Sequence, residues 1–315
     1  MIWRMVGQRL ALGALVLLAI TVVIFGAIEL LGADFAQQRL GQSATEETLA
    51  ALREQMGLNR PAWVRYGAWI GGAVRGDFGV SMANNRPIAD LMAGRLGNTL
   101  FLAAFAAVMS VPLSIGLGLL AALWRNSWFD RAANVGTLTA IAFPEFFVAY
   151  ILVYLIGSTG LFPTLASIPP GATFLERLHV TFLPALTLTL VVTAHMMRMT
   201  RAAIVNLLAS PYIEMARLKG VPRARVIWRH ALPNALSPII NVVALNLAYL
   251  VTGVVVVEVV FVYPGLGQLM VDAVRTRDVP VVQAAALIFA AVYVILNLLA
   301  DVLSTLSNPR LMHRR

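Results

Sequence analysis

The sequence has no cysteine, and only 12% of its 315 residues are charged. Without cysteine there can be no disulfide bond, no thiolate metal site and no cysteine nucleophile. Ordinary soluble domains contain about twice as many charged residues. Hydrophobic residues make up 59% of the chain, and its mean hydropathy is +0.80. This composition excludes an ordinary soluble domain and predicts a polytopic membrane protein.

The common sequence motifs of enzymes are also absent. There is no Gly-x-x-x-x-Gly-Lys-[Ser/Thr] phosphate loop, no His-Glu-x-x-His zinc motif and no Gly-x-Ser-x-Gly nucleophile motif. With four histidines and no cysteine, a metal cluster is not expected. The sequence therefore predicts no catalytic residue and no metal site, and any ATP chemistry must come from a partner chain.

The formal net charge is +9, which is a value that nucleic-acid-binding proteins often reach. The basic residues, however, cluster at the ends of apolar segments, as they do in the cytoplasmic loops of membrane proteins. We therefore predict that this chain associates with the lipid bilayer and not with nucleic acid.

Six apolar segments are long enough to cross the roughly 30 Å hydrocarbon core of a bilayer, which takes about 20 residues. These predicted spans are Leu10–Leu31, Thr99–Leu123, Val135–Ile156, Phe182–Met199, Ala235–Val257 and Val281–Leu306. The first is too long for the apolar part of a signal peptide and lacks a small-residue cleavage site, so we expect it to be retained. Pro112, Pro144 and Pro184 are expected to kink their spans. The predicted fold is all-α, with six transmembrane helices.

Arginines mark one side of the predicted spans. On that side lie Arg4, Arg9, Arg125, Arg131, the loop Arg198–Arg229, Arg310, Arg314 and Arg315. The short loops on the other side carry only Arg177, Arg275 and Arg277. Because basic short loops stay in the cytoplasm, both termini are predicted to be cytoplasmic.

The long segment between the first two spans, about residues 32–97, is predicted to be an external excursion of a single transmembrane domain that covers residues 1–315. A helix is expected after Thr45, and Trp63, Tyr66 and Trp69 share one face of the next helix. Aromatic residues so spaced suit a helix that lies in the membrane interface. An alternative that fits the pattern equally well is that they pack a small external subdomain.

The most informative segment is residues 210–233, where a basic stretch punctuated by glycine and proline separates two apolar ones. Pro211 after Ser210 predicts the start of a short helix, Gly220 predicts its end, and Pro222 prevents its extension. A short helix at the membrane surface can insert into a groove of a partner protein. The alternative is a basic loop that only orients the spans, but orientation requires charge and not this placement of glycine and proline.

This segment resembles the Glu-Ala-Ala signature of the permease subunits of ATP-binding-cassette importers. The matching positions are Glu214, Ala216, Gly220, Leu232 and Pro233. Met215 replaces the first Ala of the signature, and His230 stands where Ile is common. A Met side chain can still fill an apolar groove, so these departures leave the docking geometry in place.

Three further stretches resemble the dipeptide, oligopeptide and nickel branch of this family, specifically its first, B-type permease. They are Gly57–Pro61 with Gly76–Ser81, Val262–Leu269 with Asp278–Gln283, and Asn297 through Arg310. Together with the signature, they extend the resemblance over nearly the whole chain.

The resemblance implies a type I importer permease of the bacterial cytoplasmic (inner) membrane whose substrate is a dipeptide, an oligopeptide, a nickel complex or an opine. It also implies the partners, which are a homologous second permease, two ATP-binding subunits that hold ATP and Mg²⁺, and an extracytoplasmic solute-binding protein. This chain is expected to hold no cofactor. The residues expected to couple it to the ATPase subunits are Tyr212, Glu214, Met215, Ala216, Lys219 and Gly220.

Three ionisable residues in or near the spans are candidates for a translocation path, namely Glu145, Glu258 and His195. A charge near the bilayer centre costs at least about 2.5–3.5 kcal/mol on insertion scales, which favours a functional role. The alternatives are interfacial or arginine-paired carboxylates and a hydrogen-bonded packing histidine. If these residues relay protons, the chain would instead be a proton-coupled secondary carrier, which would not need the segment 210–233.

Overall fold

The computed structural model describes residues 2–30, 45–55 and 57–307. Several predictions fall on residues outside these described ranges. They concern residues 31–44 of the external segment, Asn308–Arg310, Arg314 and Arg315.

The described residues form helices and no β-strand. In chain order the α-helices are α1 (Ile2–Leu30), α2 (Glu46–Gln55), α3 (Ala62–Val74), α4 (Ile88–Leu123), α5 (Trp128–Ala142), α6 (Glu145–Leu155), α7 (Phe174–Leu208), α8 (Pro211–Leu218), α9 (Leu232–Val260), α10 (Leu266–Arg275) and α11 (Val279–Ser307). A 3₁₀ turn at Gly157–Thr159 follows α6, and a helical turn at Arg223–Arg225 continues as a π-helix, Val226–Ala231, into α9. The all-α prediction is confirmed.

Four helical segments are long and apolar enough to cross a membrane. They are Val6–Leu30, Ile88–Leu123, Phe174–Leu208 and Val279–Val302. Two bent pairs of helices raise the number of candidate spans to six if each pair counts as one. The polytopic character is therefore confirmed, with four to six candidate spans among the described residues.

The third predicted span, Val135–Ile156, is not one helix, because α5 and α6 meet at an angle of 106°. Pro144 has no backbone N–H and disfavours a helical backbone at the residue before it. Phe143 is accordingly extended, with φ −90° and ψ 133°. The kink expected at Pro144 is therefore a complete break between two helices.

The other two prolines named above interrupt no helix, since α4 continues through Pro112 and α7 through Pro184. An unpredicted bend of 58° separates Val226–Leu236 from Pro238–Val251, near the start of the fifth predicted span. Pro238 explains this bend, since a proline inside a helix removes a hydrogen bond and crowds the preceding turn.

The chain divides into two compact units. The first comprises Met1–Leu10, Leu100–Tyr263 and Ile295–Arg315, and the second comprises Ala11–Thr99 and Pro264–Val294. Each unit has a buried apolar cluster of its own. The prediction of a single domain stays a prediction.

In the first unit α7 is the central helix. It contacts α5, α6 and α9, and most of its apolar central stretch is buried. Thr187 and Thr189 donate side-chain hydrogen bonds of 2.9 and 2.7 Å to carbonyls four residues earlier, so their buried hydroxyls are satisfied within the helix. A Cβ atom on Gly118 of α4 would lie 2.9 Å from the Thr200 side chain. A small residue is therefore required where α4 approaches α7.

In the second unit a buried carboxylate joins two of the stretches that carry the family resemblance. Asp278 is 3% exposed and accepts hydrogen bonds from Ser81 Oγ and from the N–H groups of Met82 (3.0 Å) and Ala83 (3.3 Å). Burial penalises a carboxylate unless donors compensate for the lost water. These donors therefore fix the loop after Gly76–Ser81 to the start of α11.

The aromatic side chains of α3 differ in their surroundings. The rings of Tyr66 and Trp69 have centroids 5.5 and 6.3 Å from that of Phe25 in α1, whereas Trp63 is 76% exposed. Tyr66 and Trp69 therefore pack against the first candidate span, and packing of an external subdomain stays a prediction. The membrane-interface role stays a prediction for Trp63.

Candidate functional site

The predicted coupling segment begins with helix α8. Proline is favoured at the first helical position, because its missing N–H would have no partner there in any case. The Ser210 carbonyl accepts hydrogen bonds from the N–H groups of Ile213 (3.0 Å) and Glu214 (3.2 Å) and so closes the first turn. The helix thus starts at Pro211, as the sequence predicts.

The segment ends in a left-handed turn at Gly220, where φ is +73°. The Val221 N–H donates to the Ala216 carbonyl at 3.2 Å, which is the hydrogen bond of a Schellman motif. No atom lies within 4 Å of a Cβ built on Gly220. Within this chain, the positive φ is therefore what favours glycine here, and crowding plays no part.

One side of α8 is anchored in the first unit. Ile213 is fully buried in a cluster that includes Ile204 of α7 and Val226 and Ile227 of the π-helix, and Ala216 packs against the same cluster. Burying a side chain of this size contributes roughly 1.5–3 kcal/mol. The helix is thus held firmly to the ends of its neighbours.

The other side of α8 presents apolar side chains to its surroundings. Tyr212, Met215 and Leu218 are 43%, 55% and 77% exposed. Glu214 and Lys219 are exposed as well. Five of the six predicted coupling residues are thus accessible, the exception being the half-buried Ala216.

Glu145 begins α6 and lies against α9. The Tyr249 hydroxyl donates a 2.7 Å hydrogen bond to Oε1 of Glu145. A Cβ atom on Gly253, one helical turn further along α9, would lie 3.1 Å from both carboxylate oxygens. Among the residues that the structure describes, no arginine forms an ion pair with this carboxylate. Contacts with α9 therefore hold Glu145 in place.

His195 lies on an exposed side of α7, and its ring centroid is 6.5 Å from that of Tyr249. Glu145 and His195 therefore flank the same tyrosine. The structure thus brings together two of the three candidates for a translocation path, around a residue that sequence analysis did not single out.

A cleft of about 440 Å³ lies beside His195 between α5 and α7. Its lining residues are Asn134, Ile141, His195, Arg198, Met199, Arg201 and Ala202. The volume lies within the range of small-molecule sites in proteins. The lining includes two guanidinium groups and an imidazole, which suit an anionic ligand.

One of the arginines that line the cleft already forms an ion pair with a carboxylate of the chain. Arg201 donates to both carboxylate oxygens of Asp130, from Nε at 2.6 Å and from Nη2 at 2.7 Å. Asp130 is 3% exposed and also accepts from the Asn126 N–H (2.9 Å) and from the Asn134 side chain (2.8 Å). The pair fixes the start of α5 to α7, and the charge of Arg201 is already balanced by a carboxylate of this chain.

Glu258 lies elsewhere in the first unit and is fully buried. Its backbone carbonyl accepts a 2.8 Å hydrogen bond from the N–H of Tyr263, which is also fully buried. Burial, with a smaller contribution from the nearby Glu258 carboxylate, raises the pKa of the Tyr263 hydroxyl to about 12. The cleft does not include Glu258. Its role in a translocation path and the interfacial and arginine-paired alternatives all stay predictions.

Sequence analysis missed the cleft residue Arg198 and the two α9 residues that hold Glu145, Tyr249 and Gly253. It treated Arg198 only as a charge that orients the spans. The spacing of three residues from His195 could have identified Arg198, since such residues share one helical face. No sequence signal connects Tyr249 or Gly253 to Glu145.

Comparison with known proteins gives matches over both units and over the coupling segment. A family model described as "Binding-prot-dependent transport system membrane comp, N-term" matches residues 1–103. A second, described as "Binding-protein-dependent transport system inner membrane component", matches residues 114–313.

Individual relatives match over almost their entire length. The "Glutathione transport system permease protein GsiC" of Escherichia coli strain K12 is 36% identical over 299 residues, which is 95% of this chain and 95% of the relative. The proteins of the same name from Escherichia coli O1:K1 and from Shigella dysenteriae serotype 1 (strain Sd197) match with the same identity and coverage.

Proposed function

Because the chain belongs to the permease family of binding-protein-dependent ABC importers, in its dipeptide, oligopeptide and nickel branch, we propose that it encloses a substrate path together with a homologous second permease. As a member of that family it is a multi-pass protein of the bacterial cytoplasmic membrane and a transport subunit, not an enzyme. ATP hydrolysis lies in separate ATPase subunits.

Importers of this family work with a partner permease, ATPases and a binding protein. We assign this chain the role of the first, B-type permease. Its partners are a second permease, two ATP-binding subunits that hold ATP and Mg²⁺, and an extracytoplasmic solute-binding protein. In the proposed topology each bent helix pair counts as one of six spans, and both termini are cytoplasmic. The unequal distribution of arginines between the loops supports this orientation.

The exposed apolar side of α8 is the observation that carries the coupling role. Tyr212, Met215 and Leu218 are exposed, while Ile213 on the inner side is fully buried. A helix fixed on one side and apolar on the other suits insertion into a groove of a partner. We propose that α8 docks into an ATPase subunit and that Gly220 ends the docking helix.

The proposed substrate is a small peptide or a related solute. The relatives named above are called glutathione transport permeases, and glutathione is a tripeptide with two carboxylates and one amine. We propose that this chain imports a peptide-like solute of the same kind.

The rival function, a proton-coupled carrier, would use Glu145, Glu258 or His195 as proton relays. The buried position of Glu258, away from the cleft, speaks against a continuous relay through all three. The anchored and exposed sides of α8 are also features that a carrier without ATPase subunits does not need.

Changing Gly220 to valine tests the coupling role. A β-branched side chain disfavours the positive φ by about 1–3 kcal/mol, so the end of α8 should be displaced from its partner. We expect Gly220→Val to insert normally in the membrane, to reduce uptake about tenfold or more and to weaken co-purification of the ATPase subunits. Gly220→Asn is the matched control and should retain most activity, because asparagine tolerates positive φ. Arg225→Ala should have much less effect than Gly220→Val.

Normal uptake by Gly220→Val would contradict the coupling role. A second measurement separates the two functions directly, because uptake by an importer should persist when the proton gradient is collapsed and stop when ATP hydrolysis is blocked. The opposite dependence would establish the carrier.

A further inference from the structure

Arg198 faces the cleft between α5 and α7 and differs from Arg201, which lines the same cleft. Arg201 is paired with the Asp130 carboxylate through two hydrogen bonds. Among the residues that the structure describes, no carboxylate lies within ion-pair distance of Arg198. A guanidinium has a planar fork of donors that matches a carboxylate in two parallel hydrogen bonds. Arg198 is thus a carboxylate-binding group with no such partner in the described part of the chain.

His195 lies three residues before Arg198, on the same side of α7, and lines the same cleft. The centroid of its ring lies 6.5 Å from the centroid of the Tyr249 ring. The Tyr249 hydroxyl in turn donates to Glu145 at 2.7 Å. Charged and polar groups therefore follow one another across α7, α9 and α6 in the order arginine, histidine, tyrosine and glutamate.

Arg198 is exposed near the end of α7 that is predicted to be cytoplasmic. Helix α7 has 35 residues and is about 50 Å long at 1.5 Å per residue, which exceeds the roughly 30 Å hydrocarbon core. Arg198 lies in the last third of this helix, close to the paired Arg201. An exposed guanidinium at a helix end keeps its contact with water, so Arg198 needs no counter-ion for stability and is available to an anionic ligand in the cleft.

We propose that Arg198 and His195 form a subsite that binds a carboxylate of the transported peptide as it passes this unit. The inference rests on the proposed function and adds the residues that recognise the substrate. A cleft of about 440 Å³ can admit the end of a small peptide. Lipid phosphate would also bind an arginine, but it would not account for the further polar groups Tyr249 and Glu145 beyond His195.

The test uses the complete importer, with both permeases and both ATPase subunits, reconstituted in liposomes with its solute-binding protein at saturation. Glutathione and glycyl-leucine serve as transported probes, and glycyl-leucinamide serves as the probe without a carboxylate. The variants are Arg198→Gln, Arg198→Lys and His195→Gln. Arg131→Gln is the matched control, because Arg131 is an exposed arginine of α5 that does not line the cleft.

Arg198→Gln should lower the maximal uptake rate of both carboxylate-bearing peptides by about tenfold or more, as expected for a lost charged hydrogen bond. In this variant the ratio of the uptake rates of glycyl-leucine and glycyl-leucinamide should fall to about threefold or less. Arg198→Lys should recover part of the rate, because it keeps the positive charge. His195→Gln should have a smaller effect in the same direction, and Arg131→Gln should match the wild type. Uptake is compared at equal amounts of assembled importer, and Arg131→Gln should also leave ATPase stimulation by the empty binding protein unchanged.

Three outcomes would overturn the subsite. In the first, Arg198→Gln transports the peptides at the wild-type rate. In the second, Arg198→Gln loses uptake of glycyl-leucine and of its amide equally. The third is a loss that occurs only in liposomes containing anionic phosphatidylglycerol, since the ligand of Arg198 would then be a lipid headgroup. If the wild-type importer carries neither peptide although its ATPase is stimulated, the proposed peptide substrate fails together with the subsite, while the coupling role of α8 stands.

Discussion

Arg198 and Arg201 are neighbours on α7, and both line the cleft beside α5, yet their surroundings differ. Arg201 donates to both oxygens of a carboxylate that is 3% exposed. Arg198 is exposed and, within the described residues, meets no carboxylate. A rule that counts arginines to orient membrane spans treats the two alike. The structure separates them into one arginine that joins two helices and one that is available to a ligand.

The two arginines also differ in which parts of the chain supply their neighbouring side chains. The partner of Arg201, Asp130, lies in a short segment at the start of α5, where its N–H donates to Ser127 Oγ at 3.2 Å and so caps the helix. Arg198 belongs to a row of polar side chains contributed by three helices, which includes His195, Tyr249 and Glu145. The closed pair, Arg201 with Asp130, therefore depends on local geometry and one contact between helices. The open row, which consists of Arg198, His195, Tyr249 and Glu145, depends on how α6, α7 and α9 pack.

The largest effect is expected when the closed pair is broken. Arg201→Met leaves the Asp130 carboxylate buried without its cation, which costs about 3 kcal/mol. The estimate is at the low end of such effects because the Arg201 side chain is 21% exposed. Thermal unfolding of the purified permease in detergent should show a clear fall in Tm. Arg198→Met is the matched control and should stay within about 0.5 kcal/mol of the wild type. Equal losses in the two variants would remove the distinction between the arginines.

A smaller effect is expected from crowding the glutamate end of the open row. A Cβ on Gly253 would lie 3.1 Å from both carboxylate oxygens of Glu145, so Gly253→Ala should be less stable than its control variant by about 1–2 kcal/mol as the carboxylate shifts. Gly136→Ala on α5 is the control, because no atom lies within 4 Å of its Cβ. It should be neutral or stabilising by about 0.5–1 kcal/mol.

A double variant shows whether the Glu145 carboxylate causes the Gly253→Ala effect. Combining Gly253→Ala with Glu145→Ala removes the crowded oxygens, so the two changes should be non-additive in thermal unfolding. Additive losses would mean that Gly253 is required for another reason.

The sequence was sufficient to predict features that depend on local signals. Composition and the lengths of apolar segments predicted an all-α polytopic protein. Pro211 and Gly220 predicted the start and end of α8, because each restricts the backbone at its own position. Pro144 predicted a disturbance in the third span, but its size of 106° depends on how α5 and α6 pack against α7.

The parts that the sequence did not predict depend on contacts between distant residues. Glu145, His195 and Tyr249 lie on three helices, and no spacing rule connects them before those helices are packed. The burial of Glu258 beside Tyr263 depends in the same way on tertiary packing. The sequence placed Glu258 near a span end but could not show that other side chains enclose it.

The smallest effect is expected from the tyrosine hydroxyl at the centre of the open row. Tyr249→Phe removes a 2.7 Å hydrogen bond to Glu145, but Tyr249 is exposed and water can replace its hydroxyl as the donor. We therefore expect a loss of about 0.5–1.5 kcal/mol in thermal unfolding. Tyr212→Phe is the matched control, because its hydroxyl donates to the His230 carbonyl at 3.4 Å in an exposed position, and it should change stability by less than about 0.5 kcal/mol. If Tyr249→Phe destabilised the protein as much as Arg201→Met, the row would be a structural network like the Asp130 pair. A loss no larger than that of Tyr212→Phe would mean that Tyr249 does not hold Glu145 in place.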